Sequence, residues 1–308
     1  MSALAGRPPN AMPLPIPMPA SLAPKSFGLD VWMRRVLERA EAVRSDWDEE
    51  SVHDLRVALR RCRTMADALS EVNPGPGWRK LKKHSRKLFH ALGGLRDVQV
   101  KQAWVKKLAP AGDPVRKHML LLLARQARET RESAERALNA FDRKEWRKTL
   151  RKLSSKARFF PLESVVFQRL ALERLHAATE LYQQARKRRS SVAWHRLRIG
   201  IKQFRYVVEN FLPQRHEVWA EGLKHAQDLL GDVHDLDELR RDIRRESRHL
   251  APADVARWYA TLSAQRKARL AEFLAKMSGE DSFWFVWRAG FQWGHSLRPA
   301  LLPQRRSA

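Results

Sequence analysis

The sequence predicts an all-α protein with two pseudo-symmetric four-helix bundles, and three observations carry that prediction. Helix-forming residues dominate from Asp30 onward, with prolines and glycines falling between segments of about one to three dozen residues. Alternating runs rich in Val, Ile and Thr, the mark of half-buried strands, are lacking. An eleven-residue pattern beginning at His53 returns at His195, so the helical segments form two related sets.

Taken in order, residues 1–27 hold Pro8, Pro9, Pro13, Pro15, Pro17, Pro19 and Pro24 and read as a disordered, partly extended tail. The absence of acid before Asp30 leaves an organelle-targeting segment as the lesser alternative. Residues 28–160 form the first predicted bundle and residues 161–278 the second. The expected breaks fall at Pro74 to Gly77, Gly93 and Gly94, Pro110 to Pro114, Pro161, Pro213, Gly231, Pro252 and Gly279. Trp78, Leu81, Leu88 and Leu92, and again Trp146, Leu150 and Leu153, keep helical spacing opposite basic faces. Residues 279–308 form an aromatic and basic C-terminal extension. There Phe283, Trp284, Phe285, Trp287, Phe291 and Trp293 suit a terminal helix docked on the second bundle, with a partner surface as the alternative.

The repeat aligns without gaps. Residues 53–63, His-Asp-Leu-Arg-Val-Ala-Leu-Arg-Arg-Cys-Arg, match 195–205, His-Arg-Leu-Arg-Ile-Gly-Ile-Lys-Gln-Phe-Arg. Downstream, Leu92-Gly-Gly-Leu-Arg-Asp-Val98 matches Leu230-Gly-Asp-Val-His-Asp-Leu236 in the same order. On a helix, His53, Arg56, Arg60 and Arg63 stand at i, i+3, i+7 and i+10, within about 80° of one another and along about 15 Å. Val52, Leu55, Leu59, Cys62 and Ala66 form the adjoining core stripe, so packing can fix the arginine stems. His195, Arg198, Lys202 and Arg205 repeat the row beside Leu197, Ile201 and Phe204. Lys80, Lys83, Lys87 and His90 make a third row at the same spacing.

Charge gives these rows their meaning. The 308 residues include 60 Lys and Arg against 34 Asp and Glu, a net charge of +26. Such a surplus implies a polyanionic partner: nucleic acid, an anionic membrane surface or an inorganic phosphate chain. Rows of like charge brought together in a bundle repel one another unless an anion lies between them. Arginine suits phosphate because its donor fork binds two oxygens at once, while lysine adds a mobile point charge. Arg143, Lys144, Arg147, Lys148, Arg151 and Lys152 instead have the spacing of an ordinary solvated helix face. His53 and His195 are either ligands or helix-start histidines satisfied by backbone.

Other chemistries are narrowed by what the sequence lacks. One cysteine, Cys62, supports neither an intrachain disulfide nor a multi-cysteine metal cluster. No apolar run approaches the length needed to cross a membrane. Phosphate-loop, His-Glu-x-x-His and Gly-x-Ser-x-Gly patterns are missing, and no carboxylate cluster suggests Mg²⁺. Binding without catalysis, cofactor or metal is the expected role. Asp97 and Asp235 read as acids that orient an arginine or cap a helix, in preference to catalytic groups.

These blocks resemble the CHAD family, the conserved histidine α-helical domain. The likeness rests on Val52-His53-Asp-Leu-Arg56 through Arg63, Leu92-Gly-Gly-Leu-Arg96-Asp97, His195 through Tyr206, and Leu223-Lys224-His225-Ala-Gln227-Asp-Leu-Leu-Gly231. It implies two four-helix bundles about a pseudo-twofold axis, with inorganic polyphosphate held on the basic surface between them. It further implies phosphate contacts for Arg56, Arg60, Arg63, Arg198, Lys202 and Arg205, with His53 and His195 ending the rows. Lys83, Arg86, Lys87, Arg96 and Lys224 are the additional contacts that it suggests. His234 stands where the first half has Arg96, so the second half is expected to contribute less charge. The resemblance points to a cytoplasmic protein at polyphosphate granules, with nucleic acid as the alternative partner. The Glu-x-Glu-x-Lys motif of the triphosphate tunnel enzymes is absent, so triphosphatase activity does not follow.

Overall fold

The structure, a computed structural model, describes residues 28–292. The expected disordered tail, residues 1–27, and Trp293 lie outside the described residues. The first half comprises α1 (Leu29–Ser45), α2 (Glu49–Val72), α3 (Pro76–Leu108), α4 (Pro114–Asn139) and α5 (Arg143–Ala157). The second comprises α6 (Val165–Arg188), α7 (Ser191–Phe211), α8 (Pro213–Glu246), α9 (Pro252–Lys276) and α10 (Phe283–Gln292). No strand occurs among the described residues.

Local chemistry explains where these helices begin. Asp48, Asp113 and Asp142 accept from the amides of Ser51, Arg116 and Glu145 at 2.8, 2.8 and 2.9 Å. Ser190 accepts from the Ala193 amide at 3.2 Å and starts α7. Proline occupies the first turn of α3, α4, α8 and α9, where its missing N–H has no helical partner to lose. Gly93, Gly94 and Gly231 do not break the chain as expected; they lie inside α3 and α8, which run 33 and 34 residues. Packing overrides the weak helix propensity of glycine here. A Cβ at Gly94 would meet the Thr130 side chain of α4 at 3.6 Å.

Helix α2 packs on α1 and α3, α3 packs on α4, and α5 closes against α1 and α3. The second half repeats this set: α7 on α6 and α8, α8 on α9, and α10 against α6 and α8. Corresponding helices meet across the pseudo-twofold, α2 with α7, α3 with α8 and α4 with α9. Among the described residues each half therefore has five α-helices where four were expected, and the aromatic segment supplies the fifth of the second half. Trp287 is buried, with its ring 5.4 Å from that of Phe204.

The halves share their interior. One core joins residues of both halves, including Leu55, Leu59 and Trp146 with Leu197, Phe204 and Trp219. A second core forms where the far ends of α3 and α8 meet α4 and α9, with Trp104 and Met119 beside Leu239 and Trp258. Each such side chain contributes about 1.5–3 kcal/mol on burial. The boundary at residue 160 thus separates topological repeats and does not separate cores.

Candidate functional site

Core burial of Val52, Leu55, Leu59 and Cys62 on α2, and of Leu197, Ile201 and Phe204 on α7, aims the neighbouring cationic rows at the contact between these helices. Arg56 and Arg60 come from the first half, and Arg198 and Lys202 from the second. Each carries only part of its side chain into solvent. Lys202 feels Arg198, Arg60 and Arg56 together, so the four charges form one cluster across the pseudo-twofold. Burial and those three arginines push the Lys202 amine down to about 8.

Aromatic and glycine positions shape the cluster. The Arg60 guanidinium lies 5.4 Å from the Tyr206 ring centre, and Lys202 Nζ lies 5.7 Å from it. Arg56 lies 5.4 Å from the ring centre of Phe89. It crosses α3 at Gly93, where an added Cβ would stand 3.8 Å from Arg56 Nε. The Nε atoms of Arg56, Arg60 and Arg198 and the Tyr206 hydroxyl are buried with no hydrogen-bond partner among the described residues. Unpaired buried donors are costly in a protein interior.

Two carboxylates edge the cluster. Asp97 on α3 is open to solvent yet hemmed in by helices, and that enclosure raises its carboxyl, while Arg56, Lys101 and Arg198 draw it back down. Burial lifts Asp235 on α8 to about 6 against the opposing pull of Arg198. Neither forms an ion pair with the quartet, although both feel the charge of Arg198.

The remaining expected residues divide into three groups. Arg63 turns inward to donate to the Lys82 carbonyl at 2.6 Å and to Ser85 Oγ at 3.0 Å. Arg205 lies 3.8 Å from Glu209 on its own helix. Arg63 therefore holds protein groups, whereas Arg205 Nε is buried with no hydrogen-bond partner among the described residues. His53 is exposed beside Arg96, whose guanidinium pairs with Glu49. Its counterpart His195 places Nδ1 3.1 Å from His234 Nδ1. Lys83, Arg86 and Lys87 are exposed on α3, and Lys224 is exposed and paired with Asp228 at 2.6 Å.

Two contributors escaped the sequence reading. Arg61 faces α7, donating to Asn210 Oδ1 at 2.8 Å and to the Glu209 carboxylate. Gln203 occupies its place in the repeat, so the duplication carried no signal for it. Tyr206 lies just past the repeated row, where its counterpart is Thr64. Asn210 Nδ2 donates to Thr64 at 3.0 Å, completing the same inter-half seam.

The arrangement is a dense cluster of cationic donors drawn from both halves. Among the described residues, no group of three or more His, Cys, Asp or Glu side chains is placed to hold a metal ion, and no helix is long and apolar enough to cross a membrane. The family model described as the CHAD domain matches residues 31–244, more than half of the chain. A crystal structure of the CHAD domain from the plant Ricinus communis is similar in fold, with a TM-score of 0.55 and 22% identity over 88% of this chain and 90% of that one. No curated protein matches.

Proposed function

Since the chain belongs to the CHAD-domain family, we propose that it binds inorganic polyphosphate in the groove between its two halves, without catalysing a reaction on it. One observation supports this reading above the others. Arg56, Arg60, Arg198 and Lys202 converge from both halves, and the buried Nε donors of the three arginines lack partners among the described residues. Four neighbouring cations raise each other's free energy by an amount on the order of a kcal/mol per close pair. A flexible phosphate chain supplies the missing acceptors and relieves the repulsion at once. The proposal extends to residence at polyphosphate granules in the cytoplasm.

Calorimetric titration with long-chain polyphosphate at moderate salt tests the reading; the absence of saturable binding overturns it. Replacing Arg56, Arg60, Arg198 and Lys202 with Ala is expected to weaken binding far more than removing Lys144, Arg147, Lys148 and Arg151 from the exposed face of α5. Equal losses would reduce the site to bulk charge. Affinity should fall as salt rises, by release of the counterions that condense on a polyanion. Duplex DNA or RNA at equal phosphate concentration should fail to displace the chain. The aromatic rings that base stacking would need are largely committed to the core, Trp78, Trp146, Trp219 and Trp287 among them.

A further inference from the structure

The run of cations does not stop at the quartet. Arg241 on α8 acts on both His195 and His234, so it adjoins the end of the α7 row. Beyond it a cavity of about 670 Å³ opens between the start of α7 and helices α8 and α9. Arg189, Arg240, Arg241, Arg266 and Lys267 line it, with Asp237 as its carboxylate. Arg266 neutralises Asp237 through contacts of 2.7 and 3.3 Å, and Arg241 pairs with Glu238. Arg189, Arg240 and Lys267 have no carboxylate partner among the described residues.

One of these three is held in place. Arg240 lies 5.1 Å from the ring centre of Tyr259. Arg189 ends α6 in the left-handed conformation, with φ at 52°, where glycine is the ordinary choice. The first half has a cavity of about 580 Å³ between α3 and α4, beside Lys87, His90 and Arg136, but differs at the place that matches this one. At the positions matching Ser191, Arg240 and Arg241 it carries Glu49, Gln102 and Ala103. Glu49 pairs with Arg96 and puts a carboxylate at the end of the α2 row. The lost cation at His234 is therefore more than replaced farther along α8 and α9, so the second half does not become the less charged one here.

We propose that this cavity is a second anion subsite, which takes the polyphosphate chain as it leaves the quartet past His195. The bound chain thus extends over the second half, while the first half ends the groove at the Glu49–Arg96 pair. This inference rests on the polyphosphate reading of the quartet.

The test compares tripolyphosphate with long-chain polyphosphate on the full-length protein. The combined variant Arg189→Gln, Arg240→Gln and Lys267→Gln is set against a variant with three equal charge removals on α5, Arg147→Gln, Arg151→Gln and Lys152→Gln. The cavity variant should lose about tenfold in affinity for the long chain and lower its salt slope by about 2 to 3, with tripolyphosphate affinity unchanged. The α5 variant should change neither. Equal loss for both ligands, no loss, or a loss matched by the α5 variant overturns the subsite. Failure of the wild-type protein to bind either ligand overturns the polyphosphate reading itself. Thermal unfolding of both variants at the wild-type midpoint excludes misfolding as the cause.

Discussion

Nδ1 of His195 on α7 lies 3.1 Å from Nδ1 of His234 on α8, with ring centres 4.6 Å apart. One ring must donate and the other accept, so the pair resists a second proton. Burial, then Arg198 and His195, hold the His234 imidazole down to about 4, while Glu238 opposes them and Arg241 adds to them. His195 is lowered as well, by burial and then Arg198. Both imidazoles bind protons more weakly in the folded chain than in the unfolded one.

The first prediction follows from that sign. Stability contributed by the pair is complete above the ordinary histidine value of 6.5 and declines as pH falls toward about 4. Asp235, raised to about 6, works in the opposite direction, because the folded state then takes up its proton first. The wild-type profile alone therefore mixes two effects. The difference in Tm between wild type and His234→Asn isolates the pair, and the wild type should lose more between pH 7 and pH 5. Parallel profiles would show that the contact does not resist protonation.

Lys202 gives a second pH effect with a different window. Its amine is held at about 8 by burial and by Arg198, Arg60 and Arg56, with Asp97 pulling the other way. A bound polyanion offsets the repulsion from the three arginines and raises that value, so binding near pH 8 should take up protons. Affinity is then expected to increase as pH falls from 9 to 7. Calorimetry in buffers of different ionisation enthalpy measures the uptake. Lys202→Arg should keep much of the affinity and abolish the uptake; uptake that survives this change assigns the proton elsewhere.

The cationic cluster was legible in the sequence only where duplication and helical spacing coincide. Arg56, Arg60, Arg198 and Lys202 share one face in each copy, and that regularity is local. Arg63 satisfies the same spacing, yet neighbouring groups on α3 capture it, and spacing carries no sign of that. The fifth helices were hidden because α5 and α10 show no repeated residues, so an aromatic run read as an extension. Gly93 looked like a break because its packing against Arg56 depends on a helix twenty residues away or more. Arg189 sat in a run of surface cations, and only the return of α8 and α9 makes a cavity around it.

Arg61 provides a prediction about the seam between the halves. Its guanidinium reaches the Glu209 carbonyl at 3.2 Å, Asn210 Oδ1 at 2.8 Å and the Glu209 carboxylate, which is itself buried. Burial outweighs the pull of Glu209 and brings Arg61 down to about 10, still well above neutrality. Arg61→Ala leaves a buried carboxylate whose remaining cation, Arg205, is 3.8 Å away. The loss should be about 3 kcal/mol of unfolding free energy by chemical denaturation. Arg61→Ala with Glu209→Gln should recover part of it, since no unpaired charge is then buried. A double variant no better than the single would assign the loss to packing.

Gly290 tests whether α10 belongs to the fold. Its carbonyl accepts from Arg215 Nε at 3.2 Å, and an added Cβ would fall 2.3 Å from Trp219 Cζ2. Trp219 is buried and cannot swing aside as the end of an exposed side chain can. Gly290→Ala should therefore lift α10 from α8 and cost about 1–3 kcal/mol by overpacking, even though alanine is the better helix former. Polyphosphate affinity, read at a temperature where the variant remains folded, should change little because α10 lies away from the quartet. Trp219→Leu in the same chain makes room for the methyl group and should reduce the cost of the glycine substitution relative to Trp219→Leu alone. A cost that stays the same in that background would place the strain of Gly290→Ala somewhere other than the contact of α10 with Trp219.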